Sequence, residues 1–199
     1  AVGRSANRSA KSGINNTYMG FEAGYNDSLT SNSVGIGHNA LRLSSNGQNT
    51  AVGSGALFIN STGGSNVSIG YSSLSANTGG NLNTAVGISS LGSNINGANN
   101  TAIGALANVI TGNLTNTSAI GARATVAQSN ALVLGSINGI NGATATVNVG
   151  IGTNAPNTSS SLDVTSTSRG ILIPRMSKAQ KNAIATPATG LMIFQNAPD

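Results

Sequence analysis

A short phrase, an apolar residue followed by glycine, recurs at an almost constant spacing through the first two thirds of the chain. The step from one copy to the next is 17 in every case but one, where it is 16. The glycines are Gly3, Gly20, Gly37, Gly53, Gly70, Gly87, Gly104 and Gly121. Self-similarity at a fixed period is the sequence signature of a repeat architecture. The chain is therefore expected to fold as a stack of similar coils.

The residues of each copy predict β-structure. Asn49 to Gly53 alternates polar and apolar side chains, which is strand periodicity. The closing glycine permits a corner with positive φ, and the Asn, Ser and Gly residues that follow favour turns. Helical repeats are longer, about 34 residues. Each coil is predicted as two short strands and two corners of a parallel β-solenoid. At about 4.8 Å per coil, seven to eight coils make a rod of roughly 35–40 Å.

Three columns become visible when the copies are aligned on their glycine. The fourth residue before it is mostly asparagine (Asn16, Asn49, Asn66, Asn83, Asn100), which predicts either a side-chain ladder or corners that tolerate left-handed backbone. The third residue after it is Ala or Ser, which suits a narrow interior. The next is leucine in four coils (Leu41, Leu57, Leu74, Leu91), and this column lapses at Asn108 and Thr125.

The small apolar content of each coil predicts that a single roll is marginally stable. Two or three sizeable side chains per coil, at roughly 25 cal/mol per Å² buried, hardly offset about 1.5 kcal/mol per ordered residue. We therefore expect the leucine column to face outward and to find its burial between chains. Three-fold association is the simplest closed arrangement.

Composition argues against enzymatic chemistry. Gly, Asn, Ser and Thr make up 101 of the 199 residues, and the long stretch between Arg42 and Arg123 contains no Asp, Glu, Lys, Arg or His. With four acidic residues, one His and no Cys in the chain, we predict no catalytic, metal or cofactor site. The cations lie toward the two ends of the chain, without the basic face that nucleic-acid binding needs. No apolar run reaches the roughly 18 residues of a membrane span.

Several candidate sites have simpler interpretations. His38 is a lone histidine and is expected to be a surface residue. Left-handed hexapeptide acyltransferases use a catalytic His on a β-helix, but their period of six does not divide the 17-residue step. Gly35 to Gly37 lacks the third glycine and the lysine of nucleotide loops. Thr17, Thr50, Thr84 and Thr101 form an interrupted column, which leaves ice binding as a minor alternative. Five aromatic residues, Tyr18, Phe21, Tyr25, Phe58 and Tyr71, are expected to be exposed and either to stack on receptor sugars or to pack between chains.

The phrases at 49–53, 83–87 and 100–104 resemble the head repeats of trimeric autotransporter adhesins and the same module in bacteriophage tail fibres. Ser129 to Gly135 resembles the closing strand of such heads. This resemblance implies a left-handed parallel β-roll, three identical chains in one homotrimer, and a surface-binding stalk. The adhesin repeats are usually nearer fourteen residues than seventeen.

The remaining chain resembles modules of tail-fibre-like proteins, in particular Val147 to Pro156 with Ser161 to Val164, and Arg169 to Phe194. We predict a β-roll at 1–135, a connecting strand segment at 136–168 and a small strand–helix–strand module at 169–199. In that module the expected elements are a strand at 171–173, a helix at 178–185 with Ser177 as its N-cap, and a strand at 191–194. Both ends of the chain are expected to be cut from a longer fibre.

These features predict a structural and adhesive protein. The first hypothesis is a homotrimeric tail-fibre shaft or head on a phage or phage-like particle, supporting attachment to a host cell surface. The alternative is the head of a trimeric autotransporter adhesin on a bacterial surface, binding host surface or matrix. The expected partners are two identical chains and a cell-surface glycan or protein receptor. No residue can be assigned to receptor binding from the sequence.

Overall fold

The computed structural model describes residues 1–9, 11–27 and 30–196. Within them the chain is β-strand and turn apart from one short helix. The elements are β1 (Thr17–Met19), β2 (Val34–Ile36), β3 (Thr50–Val52), β4 (Val67–Ile69), β5 (Thr84–Val86), β6 (Thr101–Ile103), β7 (Asn108–Val109), β8 (Ser118–Ile120), β9 (Thr125–Val126), β10 (Leu132–Leu134), β11 (Val149–Ile151), β12 (Leu162–Val164), β13 (Arg175–Met176), α1 (Lys178–Asn182) and β14 (Phe194–Gln195).

The recurring phrase forms one long parallel sheet. Eight strands pair in the order β1-β2-β3-β4-β5-β6-β8-β10, and each pairs with its copy in the next coil. Thr84, for example, lies opposite Thr101, its equivalent one coil further along the chain. The predicted parallel β-solenoid of about 17-residue coils is therefore confirmed. The predicted closing strand is β10, at the end of this sheet. The left-handed sense of winding stays a prediction.

The interior of the roll is narrow and filled by small side chains. The middle residue of most strands points inward, and Ala51, Ala85 and Ala102 are fully buried there. Across the coil, the predicted Ala/Ser column is buried too, as at Ala56 and Ser90. Alternation along the strand then directs the residue before the corner glycine outward.

The side of the coil opposite the long sheet differs from the prediction. Of the described residues there, only those of β7 and β9 form strands, and these two pair with each other. In the earlier coils this side turns through left-handed residues, for example Ser72 at φ 52° and Leu74 at φ 47°. Their N–H groups still bond along the axis: Leu74 donates to the Ser90 carbonyl at 2.9 Å. The expectation of two strands per coil was wrong for these earlier coils, because a left-handed turn also satisfies the backbone between coils.

The leucine column is buried and does not face outward as expected. Leu41, Leu57, Leu74 and Leu91 are each 0% exposed within one chain. Their left-handed backbone costs about 1–2 kcal/mol per residue, whereas burying a leucine side chain contributes about 1.5–3 kcal/mol. Burial therefore offsets the strain of the left-handed backbone. The leucine side chains fill the interior of a single roll instead of forming the expected contacts between chains.

The lapse of the leucine column marks a change in coil geometry. Asn108 and Thr125 occupy the leucine position, and they open the extended strands β7 and β9. The following residues, Val109 and Val126, are 2% and 0% exposed and fill the interior instead. Asparagine and threonine cannot supply the apolar volume of leucine. The backbone is therefore extended at these positions, and the valine that follows fills the interior in place of the leucine side chain.

The asparagine column forms a buried ladder. The Oδ1 atoms of Asn49, Asn66 and Asn83 each accept the backbone N–H of the equivalent residue one coil on, at 2.9 Å. The Nδ2 atom of Asn83 donates to the Gly97 carbonyl at 2.8 Å. Left-handed corners also occur, one residue earlier, as at Asn99 with φ 58°. Both alternatives for asparagine are present, in adjacent columns.

A second column of buried asparagines lies seven residues after the corner glycine in three successive coils. Asn77 Nδ2 donates to Asn60 Oδ1, and Asn94 Nδ2 to Asn77 Oδ1, both at 2.8 Å. Asn77 Nδ2 also donates at 3.0 Å to the Gly80 carbonyl, which already accepts from Asn66 at 2.9 Å. Two amide columns thus converge on one carbonyl per coil. This second column was not predicted, although its period is visible in the sequence.

The corner glycines are required by both conformation and space. Gly70 has φ +136°, and a Cβ added there would overlap the carbonyl group of Gly87 in the next coil. The same overlap recurs along the stack. This close approach of backbones explains the 17-residue repetition of glycine, and it agrees with the predicted corner role.

The segment after the roll contains two small parallel pairs, β11 with β12 and β13 with β14. The helix begins after Ser177, as predicted, with a capping box completed by Gln180, but it ends at Asn182 and not at 185. The strands expected at 171–173 and 191–194 lie later, at Arg175–Met176 and Phe194–Gln195. Pro174 cannot donate a backbone N–H but accepts one from Phe194 at 2.9 Å, which fixes the pairing after the proline. Residues 197–199 of the predicted module lie outside the described residues.

Candidate interaction surfaces

The described residues contain no group of three or more His, Cys, Asp or Glu side chains that could hold a metal ion. His38 is exposed, as expected, and its ring stacks on Phe21 with 5.4 Å between ring centroids. Thr50, Thr84 and Thr101 open their strands as a half-buried column that Val67 and Ser118 interrupt. In the part of the chain that the structure covers, no helix is both long and apolar enough to cross a bilayer.

An apolar column runs along the outside of the long sheet. It consists of the residues directly before the seven corner glycines from Gly20 to Gly121, and we call it the outer apolar column. Its members are Met19, Ile36, Val52, Ile69, Val86, Ile103 and Ile120. The most exposed of them are Met19 at 49% and Ile103 at 44%. A continuous row of large apolar side chains in water is unusual for a monomer, and such surfaces mark interaction sites.

The geometry of the coil explains why this column stays on the outside. The middle residue of each strand and the buried leucine fill the interior, so the residue before the glycine points away from it. Every member of the outer apolar column is uncharged. The column is therefore suited to contact another apolar surface, and it replaces the leucine column as the candidate surface between chains. The alternation in Asn49 to Gly53 contained this signal, because adjacent strand residues face opposite sides.

The C-terminal module also exposes apolar side chains. Ile171 and Leu172 are 68% and 73% exposed, and Met192 and Phe194 are 70% and 56% exposed. Ile171, Leu172 and Phe194 line one shallow groove together with Arg175. A module of this size with such a surface gains stability when the apolar side chains are buried against other chains.

The aromatic residues that sequence analysis expected on the surface differ in burial. Tyr18 is 1% exposed and fills the interior of the first coils, so its expected exposure was wrong. It lies there because the second residue of a strand points inward, and Gly24 and Gly35 leave room for its ring. Tyr71 is 60% exposed and Phe21 39%. Tyr25 and Phe58 are half-buried beneath arginine side chains.

The C-terminal part of the chain matches a known family. Residues 150–199 match the family model described as phage tail like trimerisation region. This match supports the predicted resemblance of the C-terminal segment to a tail-fibre module. A trimerisation region implies a homotrimer, in agreement with the two identical partner chains expected from the repeats. No curated protein and no solved structure matches the chain.

Proposed function

We propose that this chain is a segment of a homotrimeric tail fibre that supports the attachment of a phage or phage-like particle to a host cell surface. The observation that carries the proposal is the match of residues 150–199 to a phage tail like trimerisation region. The β-roll that precedes this region supplies a stiff stack of coils joined by hydrogen bonds along its axis. Such a stack suits a fibre, which must hold a binding surface away from the particle.

The surfaces of the chain support association in threes. The outer apolar column runs from Met19 to Ile120 in the roll, and Ile171, Leu172 and Phe194 are exposed in the C-terminal module. Association of three identical chains would bury both surfaces, with the C-terminal module joining the chains and the roll extending the contact. The role is then mechanical and adhesive, without chemistry.

The head of a trimeric autotransporter adhesin is the alternative. Its repeats resemble those of residues 1–135, so the roll alone does not discriminate between the two. The family matched by residues 150–199 is described as phage tail like, which favours the fibre. The fibre would lie on the surface of a virion or phage-like particle, and the adhesin on a bacterial cell surface.

Electron microscopy with antibodies tests this proposal. Antibodies raised against the purified chain are bound to gold and applied to particles and to cells of the producing culture. We expect gold on fibres attached to tail-like particles, and we expect the same antibodies to block adsorption of the particles to their host. Antibodies absorbed beforehand with the purified chain are the control. Gold on the cell envelope, with none on particles, would refute the fibre and favour the adhesin.

A further inference from the structure

Cationic and aromatic side chains interleave on the outside of the first coils, next to the corner glycines. Arg4, Phe21 and His38 follow the glycine directly in three successive coils. Four positions further on, a parallel column reads Arg8, Tyr25, Arg42, Phe58. We call these two columns the basic aromatic face.

Within the second column, guanidinium groups and rings alternate along the axis. The Arg8 and Arg42 guanidinium carbons lie 5.6 and 5.3 Å from the centroid of the Tyr25 ring. Arg42 also lies 5.7 Å from the centroid of Phe58, and its Nε donates to Glu22 Oε2 at 2.6 Å. These contacts hold the long arginine side chains in place. An arginine ordered in advance loses less conformational entropy when it binds an anion.

A shallow groove of about 300 Å³ adjoins this face. His38, Phe58 and Tyr71 line it, together with polar side chains such as Ser54 and Ser72. The groove therefore combines ring surfaces with hydroxyl groups. Arg42 does not line the groove itself, but its guanidinium carbon lies 5.7 Å from the centroid of Phe58, which does.

The charge of this face selects an anion. Three cations, Arg4, Arg8 and Arg42, stand with a single carboxylate, Glu22, which pairs with Arg42, so the face keeps a net positive charge. The next cation after Arg42 along the chain is Arg123. Three copies of such a face brought together around a three-fold axis would repel one another, whereas the outer apolar column carries no charge. The basic aromatic face is therefore expected to stay open to solvent in a trimer.

We propose that the groove between His38, Phe58 and Tyr71 binds a carbohydrate that carries an anionic group, with the sugar against the rings and the anion on Arg42. A single-stranded nucleic acid would also need cations and rings, but it stacks its bases on open ring faces. The guanidinium groups of both Arg8 and Arg42 lie close to Tyr25, which leaves little open face on the Tyr25 ring. Tyr71 offers an open ring beside serine hydroxyls, which suits a hydroxylated sugar.

This inference rests on the proposed attachment role and gives that role a site. It differs from the trimer contacts in position and in chemistry, because the outer apolar column is neutral. A defect in glycan binding is therefore separable from a defect in assembly.

Binding of defined glycans to the purified chain tests the site. The probes are a sialylated oligosaccharide, which carries a carboxylate, a phosphorylated oligomannose, and the uncharged form of each. Affinity is measured by titration calorimetry at low and high salt. We expect an acidic probe to bind, its neutral form to bind at least about tenfold more weakly, and salt to weaken the acidic probe. Preference for one probe distinguishes carboxylate from phosphate.

Two variants and two matched controls locate the binding site. We expect Arg42→Gln and Tyr71→Ser each to weaken binding on the order of tenfold, since each removes one contact that the ligand would make. Serine stands at Ser54 in the column of Tyr71, so the coil accepts it. The controls are Arg169→Gln, which removes a cation elsewhere, and Ile88→Ser, which removes an exposed apolar side chain one coil further on. Both controls are expected to bind as the parent does.

Three results would overturn the proposal. The first is that neither acidic probe binds, and the second is that both site variants bind as well as the controls. The third is that an oligothymidylate binds more tightly than either glycan and competes with it. The oligomeric state of each variant is measured by sedimentation in parallel. A variant that loses glycan binding but keeps its oligomeric state shows that the binding site and the assembly of the fibre are separate.

Discussion

Replacing Asp27 by asparagine is expected to stabilise the roll at neutral pH. Asp27 occupies the column of buried asparagines that contains Asn60, Asn77 and Asn94, and it is 1% exposed. Its Oδ1 accepts the Thr30 N–H at 3.3 Å, while its Oδ2 is buried without a hydrogen-bond partner among the described residues. Burial raises the pKa of this carboxyl above its ordinary value, against the opposing effect of its hydrogen bonds with Thr30.

The magnitude follows from the neighbouring coils. In the equivalent position Asn77 donates from Nδ2 to the Gly80 carbonyl, which also accepts from Asn66. The Thr30 carbonyl accepts from Asn16 at 2.8 Å and is the matching acceptor for an asparagine at 27. One new hydrogen bond contributes about 1 kcal/mol to the free energy of unfolding. Removing the buried acceptor Oδ2, which has no hydrogen-bond partner among the described residues, contributes about 1–3 kcal/mol more. We expect a gain of about 2 kcal/mol at pH 7.

The gain depends on pH in a defined direction. Because the folded pKa of Asp27 is raised, the folded state binds the proton more tightly than the unfolded state does. The parent therefore loses stability as pH rises from the ordinary pKa of about 3.9 through the raised one. Asparagine does not titrate, so the advantage of Asp27→Asn is smallest below that ordinary pKa and largest at neutral pH.

Thermal unfolding of parent and variant at equal protein concentration measures this difference. For a chain of this size each kcal/mol shifts the midpoint by roughly 2–4 °C. Asp163→Asn is the control, because the Asp163 carboxylate is half-buried and its Oδ2 accepts the Asn157 N–H at 2.9 Å. That control is expected to be neutral or destabilising. A lower midpoint for Asp27→Asn at pH 7, or an equal gain at pH 3 and pH 7, would show that the buried carboxylate of Asp27 does not destabilise the roll.

Three further substitutions test the stack and its outer surface. Gly70→Ala is expected to cost about 1–3 kcal/mol or more in thermal unfolding, because its φ of +136° excludes a side chain, whereas Gly170→Ala, which meets no atom within 4 Å, is expected to be neutral. Asn83→Ala is expected to cost about 2–4 kcal/mol, because two buried hydrogen bonds are lost, and Asn113→Ala at an exposed position almost nothing. Ile103→Asp in the outer apolar column is expected to weaken association measured by sedimentation velocity, because three carboxylates would meet. Equal losses of stability for Gly70→Ala and Gly170→Ala, or for Asn83→Ala and Asn113→Ala, would contradict these expectations. Unchanged association of Ile103→Asp would contradict the role of the outer apolar column.

The repeat made most of the fold predictable. A 17-residue period with glycine at every corner leaves few arrangements besides a stack of coils, and strand alternation in Thr84 to Val86 fixes which residues face inward. The corner glycines and the Asn49-to-Asn100 ladder were also visible, because a residue that contacts its own copy in the next coil must recur at the same period.

The leucine side of the coil was not predictable in the same way. Leu74 has a left-handed backbone, which local preference disfavours, and only burial within the finished stack offsets that cost. The sequence therefore suggested an outward leucine, while the structure buries it. The outer apolar column was not predicted for the same reason. The leucine column was expected on the outside of the roll, where the outer apolar column lies instead.

The site was predictable only in part. The scarcity of carboxylates, thiols and imidazoles in the sequence argued against an active site, and adhesion was implied by the resemblance of the repeats, but neither observation named a ligand. The basic aromatic face arises because Arg8, Tyr25, Arg42 and Phe58 fall at one position of successive coils, a relation that appears only after the coils are aligned. Along the chain Tyr25 and Phe58 stand far from Arg8 and Arg42, so each appears as a single aromatic residue.

Sedimentation equilibrium of the purified chain shows directly whether three chains associate as a fibre segment requires. We expect a single species of three times 19.5 kDa that persists on dilution through the micromolar range. A species of 19.5 kDa that is folded and remains monomeric at every concentration would contradict this expectation.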